Sequence, residues 1–220
     1  MIIFQQFDKT FDSIRVITEP SNESYCKKYG IEYRSIINSN HGVNYQKYWN
    51  KIVKAYQILH STKEEWVFML DGDALLLPEY DITIITKLIS PNKDIAICRV
   101  TDAIADCWWN VNIGAVFFRN TDFVKDIIKD MIEHAESQEY RTYEQQVLQK
   151  MLRQNYKNIL EKTENFSSTA FNHTGGPFVF HPCGANETTT NIAVDAVANK
   201  IKKLQQEIER IYEDTIYRSL

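Results

Sequence analysis

The most constraining feature of the sequence is an apolar run, Trp66-Val-Phe-Met-Leu70, that ends abruptly in Asp71-Gly72-Asp73. A short, continuous apolar run is typical of a strand that is buried on both faces of a parallel sheet. The two acids are therefore predicted to lie at the carboxyl end of a buried strand, which is where open α/β sheets bind their ligands. The glycine between them lets a ligand approach the backbone closely.

Strand-like and helix-like segments alternate along the rest of the chain, which predicts a Rossmann-like α/β domain over residues 1–193. Further strands are predicted at Ile14–Thr18, Ile31–Ile37, Ile95–Val100, Asn112–Phe118 and Phe178–His181. Helices are predicted at Tyr45–His60 and Asp122–Ala135 from apolar residues at helical spacing. Further helices are predicted at Ser21–Tyr29, which Gly30 ends, and at Tyr143–Asn155.

The last part of the sequence, residues 194–220, is predicted to form an amphipathic C-terminal helix. Apolar residues recur there in steps of three and four, with charged residues between them, at Val197, Ile201, Leu204, Ile208 and Ile211. Such a face packs on its own domain, forms a homodimer contact or leads to a further domain, and the sequence leaves all three open.

Charge and cysteine usage narrow the class of partner and the compartment. The net charge of -4 and the scattered basic residues exclude an electrostatic surface for nucleic acid or anionic membranes. No apolar run approaches the roughly 18 residues of a transmembrane segment, and Met1–Phe4 is too short for a signal peptide. The four cysteines form no CxxC pair, so we expect reduced thiols and a cytoplasmic protein.

The acidic pair itself points to a divalent cation. Mg²⁺ and Mn²⁺ prefer oxygen ligands and are usually held by one or two carboxylates together with phosphate oxygens of a substrate. Asp71 and Asp73 could supply both carboxylates. An acid-x-acid pattern is nevertheless common, and a solvated turn after a strand would give the same three residues.

Four segments in order resemble the GT-A glycosyltransferases, and among them the fungal and plant α-galactosyl and α-xylosyl transferases. The first two are a helix containing Trp49-Asn-Lys51 and the strand that ends in Asp71-Gly-Asp73. Asn112-x-Gly114 with Glu144-Gln145, and then His181-x-x-Gly184, resemble the later ones. The resemblance implies a GT-A domain with a mixed, mainly parallel sheet flanked by helices.

The resemblance also implies roles for individual residues. Asp71 and Asp73 would bind Mn²⁺ or Mg²⁺ and through it a nucleotide-diphosphate sugar, with Asp71 also near the donor ribose. His181 would be the third protein ligand, with His173 as its rival. The remaining residues implied in donor binding are Thr18 and Glu19, expected at the end of the first strand, and Lys51, Asn112, Gly114 and Gly184.

The implied reaction is metal-dependent transfer of a sugar to a saccharide or glycoconjugate acceptor. The expected donor is a UDP-sugar, because most of the resembled enzymes use one. In a retaining reaction Gln145 would lie beside the anomeric carbon while Glu144 orients the acceptor. An inverting reaction needs a carboxylate base, for which Asp102, Asp106 and Glu144 are candidates. The adjacent Trp108 and Trp109 fit either packing or a sugar platform.

Two other functions remain open from the sequence. A haloacid-dehalogenase-like phosphatase also begins with a strand that ends in Asp-x-Asp, but this chain has Leu75 where that class has Thr or Val, and it lacks the later paired-Asp motif. A non-catalytic protein that binds a nucleotide sugar is the second alternative.

Overall fold

The computed structural model describes residues 1–8, 12–38, 46–100, 109–167, 170–172 and 177–181. The strands in chain order are β1 Ile2–Asp8, β2 Glu32–Asn38, β3 Trp66–Leu70, β4 Leu75–Leu76, β5 Ile95–Arg99, β6 Val111–Arg119, β7 Thr163–Phe166 and β8 Val179–Phe180. The helices are α1 Asp12–Tyr29, α2 Gln46–Ser61, α3 Thr83–Leu88, α4 Asp122–Ser137 and α5 Glu144–Arg153, with a 3-10 helix at Tyr156–Lys162.

Six strands form one mixed sheet in the order β2-β1-β3-β6-β5-β7. β1 runs parallel to β2 and β3, and β5 runs parallel to β7. β6 is antiparallel to both of its neighbours, β3 and β5. The predicted α/β architecture with a mixed, mainly parallel sheet is confirmed. The short strands β4 and β8 pair separately with each other.

Helices cover both faces of this sheet, and each face has its own apolar core. On one face Val67 and Met69 of β3 pack in a cluster that includes Trp49 of α2. On the other face Phe68 and Leu70 pack in a second cluster, which contains residues of α1 and α3. Every residue of β3 is therefore buried, which explains why its sequence is apolar without alternation.

The predicted strand at Ile14–Thr18 is wrong, because these residues belong to α1, which runs through Pro20. The β-branched residues suggested a strand, but Ile14, Thr18 and Asn22 are buried at four-residue intervals, so one helical face packs against the protein. The exposed Pro20 lies within that helix. The first strand is instead β1, which the sequence did not predict.

The helix predicted at Ser21–Tyr29 is the second half of α1, which begins at Asp12, and the other predicted elements within the described residues are present with shifts of at most two residues at their ends. Strands β4 and β7, helix α3 and the 3-10 helix before β7 were not predicted. Several sequence predictions fall outside the described residues: the helix over 194–220 and the roles of Asp102, Asp106, His173, Gly184 and Trp108.

Two further expectations concern the thiols and the membrane. Cys26 is a buried free thiol and Cys98 is also buried, while Cys107 and Cys183 lie outside the described residues. None of the helices within the described ranges has the length and apolar character needed to cross a bilayer.

Candidate active site

Side chains of β1 and α1 hold the turn after β3 in place. Gln5 donates its amide to the backbone oxygens of Asp71 and Ala74, at 2.8 and 2.9 Å. The hydroxyl of Thr18 donates to the backbone oxygen of Gly72 at 2.9 Å. Because Gln5 and Thr18 are both fully buried, these bonds fix the backbone that carries the two acidic side chains.

Gly72 is required by the close approach of β1. A Cβ atom at this position would lie 3.0 Å from Cδ1 of Phe7 and 3.1 Å from the backbone oxygen of Gln6. The backbone oxygen cannot move without disturbing the sheet, so the turn accommodates glycine best. The sequence Asp-Gly-Asp is therefore explained by packing as well as by ligand access.

The pairing of β4 with β8 returns the chain to the acidic turn. Leu75 pairs with Phe180 and Leu76 with Val179, so His181 lies beside the residues that precede β4. The Nε2 atom of His181 is 3.1 Å from Oδ1 of Asp73 and 3.7 Å from Oδ2 of Asp71. The structure thus brings together the three side chains that were expected to hold a cation.

These donors fit a divalent cation in chemistry and in spacing. Within the described residues Asp71, Asp73 and His181 form a group whose ligand atoms all lie within 4.8 Å of one another. Adjacent ligands of an octahedral Mg²⁺ with bonds of about 2.1 Å are about 3 Å apart. The separations of 3.1 and 3.7 Å from the imidazole to the two carboxylates are close to that edge.

Gly114 of β6 makes room for the imidazole. A Cβ atom at position 114 would lie 2.1 Å from Cε1 of His181 and 2.9 Å from Oδ2 of Asp71. The backbone oxygen of Gly114 also accepts a 2.7 Å hydrogen bond from the amide of Asp71. The Asn112-x-Gly114 pattern is therefore explained here by the close approach of β6 to the histidine and the aspartate.

Lys51 of α2 is buried between two carboxylates. Its Nζ atom lies 2.6 Å from Oδ1 of Asp71 and 3.0 Å from Oε1 of Glu144. Burial disfavours the charged ammonium, but the negative charges of Asp71 and Glu144 outweigh burial and raise the pKa of Lys51. The lysine therefore remains charged and holds Asp71 by the oxygen that does not face His181.

The other two buried carboxyl groups respond to their surroundings in opposite directions. Burial acts to raise the pKa of Asp73, but the charge of the His181 imidazolium and its hydrogen bond outweigh burial and lower it. Burial raises the pKa of Glu144, and Lys51 offsets this only in part. The Oε2 atom of Glu144 is buried and has no hydrogen-bond partner among the described residues.

A cleft of about 500 Å³ opens over this cluster. It is lined by Gln6 and Asp8 at the end of β1 and by Tyr48 of α2 and Tyr143, among other residues. Gln145 also lines the cleft, and its Oε1 accepts a hydrogen bond from the amide of Ile113 at 3.2 Å. The cleft therefore lies at the carboxyl ends of β1 and β3, as the sequence predicted for the ligand site.

Thr18 and Glu19 are not at the end of a strand, which removes the reason for placing them beside the nucleotide. Thr18 is buried and bonded to Gly72, and Glu19 accepts a 2.7 Å hydrogen bond from Arg15. Gln6 and Asp8 occupy the strand end instead, and sequence reasoning missed them. The apolar start of Ile2-Ile-Phe-Gln-Gln-Phe-Asp8, followed by polar residues, was the available signal.

The structure also gives the contacts of Trp109 and Asn172. Arg153 lies with its guanidinium carbon 5.2 Å from the ring centroid of Trp109, so this tryptophan carries a cation on its ring. Asn172, which the sequence did not single out for chemistry, hydrogen-bonds Nδ1 of His181 at 2.6 Å. No pattern in the sequence indicates that contact, because it exists only after the late segment has folded over β6.

No protein-family model and no curated protein sequence matches this chain. Solved structures do match its fold. A glycosyltransferase involved in glycosylation of the major capsid of PBCV-1 superposes with a TM-score of 0.68 at 16% identity, covering 86% of this chain and 98% of that one. The galactosyltransferase LgtC, in complex with donor and acceptor sugar analogs, gives a TM-score of 0.53 at 14% identity, covering 90% and 96%.

This chain has the GT-A glycosyltransferase fold. The glycosyltransferase GlyE of Streptococcus pneumoniae TIGR4 shares it, with a TM-score of 0.54 at 12% identity, and there the match covers 89% of this chain and 59% of that one. In this GT-A domain the acidic pair follows the third strand of the chain, and the buried Lys51, Glu144 and His181 converge on that pair.

Proposed function

We propose that this protein is a metal-dependent glycosyltransferase that moves a sugar from a nucleoside-diphosphate sugar, a UDP-sugar, to a saccharide or glycoconjugate acceptor. The observation that carries the proposal is the convergence of Asp71, Asp73 and His181 at the floor of the cleft. A cluster of two carboxylates and an imidazole beside a large open cleft suits a cation that must also bind a substrate diphosphate.

The chain's own residues divide the work at that position. Asp71 offers Oδ2 toward the cation site, because Lys51 holds its Oδ1. Asp73 and His181 lie at hydrogen-bond distance from each other and would turn the same two atoms to Mn²⁺ or Mg²⁺. When bound, the cation supplies a Lewis acid for the negative charge that develops on the departing nucleoside diphosphate.

The donor nucleoside is proposed to lie against the end of β1. Gln6 and Asp8 line the cleft there and offer an amide and a carboxylate for ribose hydroxyls or a base edge. This position is next to the acidic turn, since β1 and β3 are neighbours in the sheet. Gln6 and Asp8 take the role that was first assigned to Thr18 and Glu19.

The sugar is proposed to lie beside Glu144 and Gln145, which open α5 and line the cleft. The carboxylate of Glu144 lines the cleft, and its buried Oε2 has no hydrogen-bond partner among the described residues, so a sugar or acceptor hydroxyl that enters beside it could donate a hydrogen bond to this group. In a retaining reaction Gln145 would lie next to the anomeric carbon. In an inverting reaction Glu144 is the described candidate for the base, and Asp102 and Asp106 lie outside the described residues.

The proposal is tested first by donor binding. Thermal unfolding would be measured with Mn²⁺ alone, with UDP or GDP alone, and with each pair, and UDP and GDP sugars would then be compared. We expect Mn²⁺ and UDP together to raise the melting temperature more than either alone. No change with any pair of metal and nucleotide would contradict the proposal.

Catalysis is tested with Asp73→Asn, which removes one carboxylate charge from the metal cluster. Hydrolysis or transfer of the UDP-sugar should be lost in this variant and retained in Asp122→Asn, whose side chain is fully exposed. Full activity of Asp73→Asn would rule out the assigned metal site. Release of phosphate from p-nitrophenyl phosphate that requires Asp71 would instead support the phosphatase alternative, and nucleotide binding without turnover would support a binding protein.

A further inference from the structure

Asn172 connects the histidine of the cation site to strand β6. Its side chain is almost completely buried, with 2% exposure. The amide oxygen Oδ1 lies 2.6 Å from Nδ1 of His181, and the amide nitrogen Nδ2 lies 3.1 Å from the backbone oxygen of Asn112. Both ends of one amide group are therefore engaged, one with the imidazole and one with the sheet.

The orientation of this amide follows from its partner on β6. A backbone carbonyl oxygen can only accept, so the group of Asn172 that faces Asn112 must be the NH₂. The other end is then the carbonyl oxygen, which is also only an acceptor. Nδ1 of the imidazole must therefore donate to it, whereas Nε2 faces the carboxylate of Asp73, and the imidazolium donates to both. When the ring gives up its Nε2 proton, as it must to bind a cation there, the remaining proton of the neutral ring is on Nδ1.

The position of that proton decides what the other ring nitrogen can do. With Nδ1 protonated, the neutral ring has its lone pair on Nε2. Nε2 is the atom that lies 3.1 Å from Asp73 and 3.7 Å from Asp71. Asn172 thereby leaves the lone pair of Nε2 available to the cation that the two carboxylates would hold.

Neighbouring residues also hold Asn172 in position. Phe171 is fully buried and packs edge-on against Phe117 of β6, with ring centroids 5.2 Å apart. The side chain of Asn112 accepts from the amide of Gly114 at 2.8 Å, in the strand that the imidazole packs against. The ring is therefore held both by its close packing on Gly114 and by the hydrogen bond to the Asn172 amide.

We propose that Asn172 is a positioning residue for the cation site, which fixes both the orientation and the tautomer of His181. The inference rests on the proposed function, because it assigns the oriented Nε2 atom to a bound cation. Second partners of this kind contribute roughly 10–100-fold to metal affinity. The buried side chain also means that the sequence Asn172-His-Thr is inaccessible as a glycosylation site in the folded protein.

Two measurements on the same variants test the inference. The His181 tautomer is read from ¹⁵N chemical shifts of the ring in metal-free protein at alkaline pH, with His181→Gln for assignment. The dissociation constant of Mn²⁺ alone is measured by calorimetry. The variants are Asn172→Leu, which removes both hydrogen bonds, and Asn172→Asp, which retains the acceptor for Nδ1.

Wild type and Asn172→Asp are expected to show the Nδ1-protonated ring. Asn172→Leu should move toward the Nε2-protonated ring, which can donate to Asp73, and should weaken Mn²⁺ binding by about 10–100-fold. Asn120→Ala is the matched control, because Asn120 also donates to a backbone oxygen, that of Thr62, but follows β6 at the opposite end of the sheet. It should change neither the tautomer nor Mn²⁺ binding.

An Nε2-protonated ring in the wild type would overturn the inference, as would an Asn172→Leu variant with an unchanged tautomer and unchanged Mn²⁺ affinity. A wild-type protein that binds no Mn²⁺ would instead overturn the proposed function. The ring spectrum needs no metal, so in that case it would still decide whether Asn172 orients His181.

Discussion

The ammonium of Lys51 lies 2.6 Å from Oδ1 of Asp71 and leaves the other oxygen of that carboxylate directed to His181. One oxygen of Asp71 thus pairs with the buried ammonium of Lys51, and the other is available to the proposed metal. Glu144, 3.0 Å from the same ammonium, adds a second negative charge. The balance of these charges leads to the first two predictions.

Replacing Lys51 by Met should destabilise the protein, because it leaves the carboxylates of Asp71 and Glu144 buried without their cation. We expect the free energy of unfolding to fall by about 3 kcal/mol, the usual effect of breaking a buried ion pair. Urea denaturation measures it. Lys54→Met on the same helix is the control, since Lys54 bonds Gln57 at the surface and its loss should have little effect.

Glu144→Gln should alter the pH dependence of stability. The pKa of Glu144 is raised above its ordinary value of 4.5, mainly by burial, so the folded state disfavours the charged form. The stability that this group contributes is complete below pH 4.5 and is lost as the pH rises through the higher pKa of the folded state. The glutamine variant should therefore gain stability relative to the wild type as the pH is raised above 4.5.

This prediction is checked by urea denaturation at a series of pH values from 4 to 8. The exposed Glu161, changed to Gln, is the control and should give a difference from the wild type that does not grow with pH. A Glu144→Gln difference that shrinks as the pH rises would show that Lys51, and not burial, dominates the energy of this carboxylate.

Gly114→Ala should abolish binding of Mn²⁺. The added methyl would lie 2.1 Å from Cε1 of His181, and the ring would have to leave its position beside Asp71. Calorimetric titration with Mn²⁺ measures the loss. Gly30→Ala is the control: Gly30 has a φ of 67° and open space around it, so alanine should destabilise the fold by about 1 kcal/mol without affecting Mn²⁺. Normal Mn²⁺ affinity in Gly114→Ala would mean that His181 is not a ligand.

Phe171→Ala should weaken both the fold and Mn²⁺ binding. Phe171 packs on Phe68 and Phe117, whose rings are stacked with centroids 3.9 Å apart, and its truncation should remove about 3–5 kcal/mol. The adjacent Asn172 would lose its support. Phe118→Ala, in the core on the other face of the sheet, should reduce stability by a similar amount but leave the Mn²⁺ affinity unchanged.

The parts of the fold that were predictable carry their signal locally. Strand β3 is apolar at every position, and α4 places its buried residues on one helical stripe. Strand β1 was not predicted because its fully buried Gln5 is polar. Gln5 is buried where its amide donates a hydrogen bond to the backbone of the turn after β3. Strand β7, Thr163–Phe166, was missed because an edge strand with one buried residue carries little pattern.

Some residues of the candidate site were likewise predictable from the sequence, and others were not. Asp71 and Asp73 were predictable from their position after a buried strand, and His181 came from the resemblance to a family. The roles of Gln6, Asp8 and Asn172 depend on contacts between distant parts of the chain, such as the one between Asn172 and Asn112. No local pattern encodes such contacts, so they became visible only in the folded structure.

The short ladder between β4 and β8 delivers His181 to Asp73 across 108 positions of sequence. Closing a loop of that length opposes folding through its entropy, and the ladder that offsets it is short, with two residue pairs. An ion that binds both ends is selective for the closed chain and stabilises it by mass action. The proposed cation would therefore join the two ends of this loop. At low manganese or magnesium concentration, β8 would be separated from β4 in a larger fraction of the molecules.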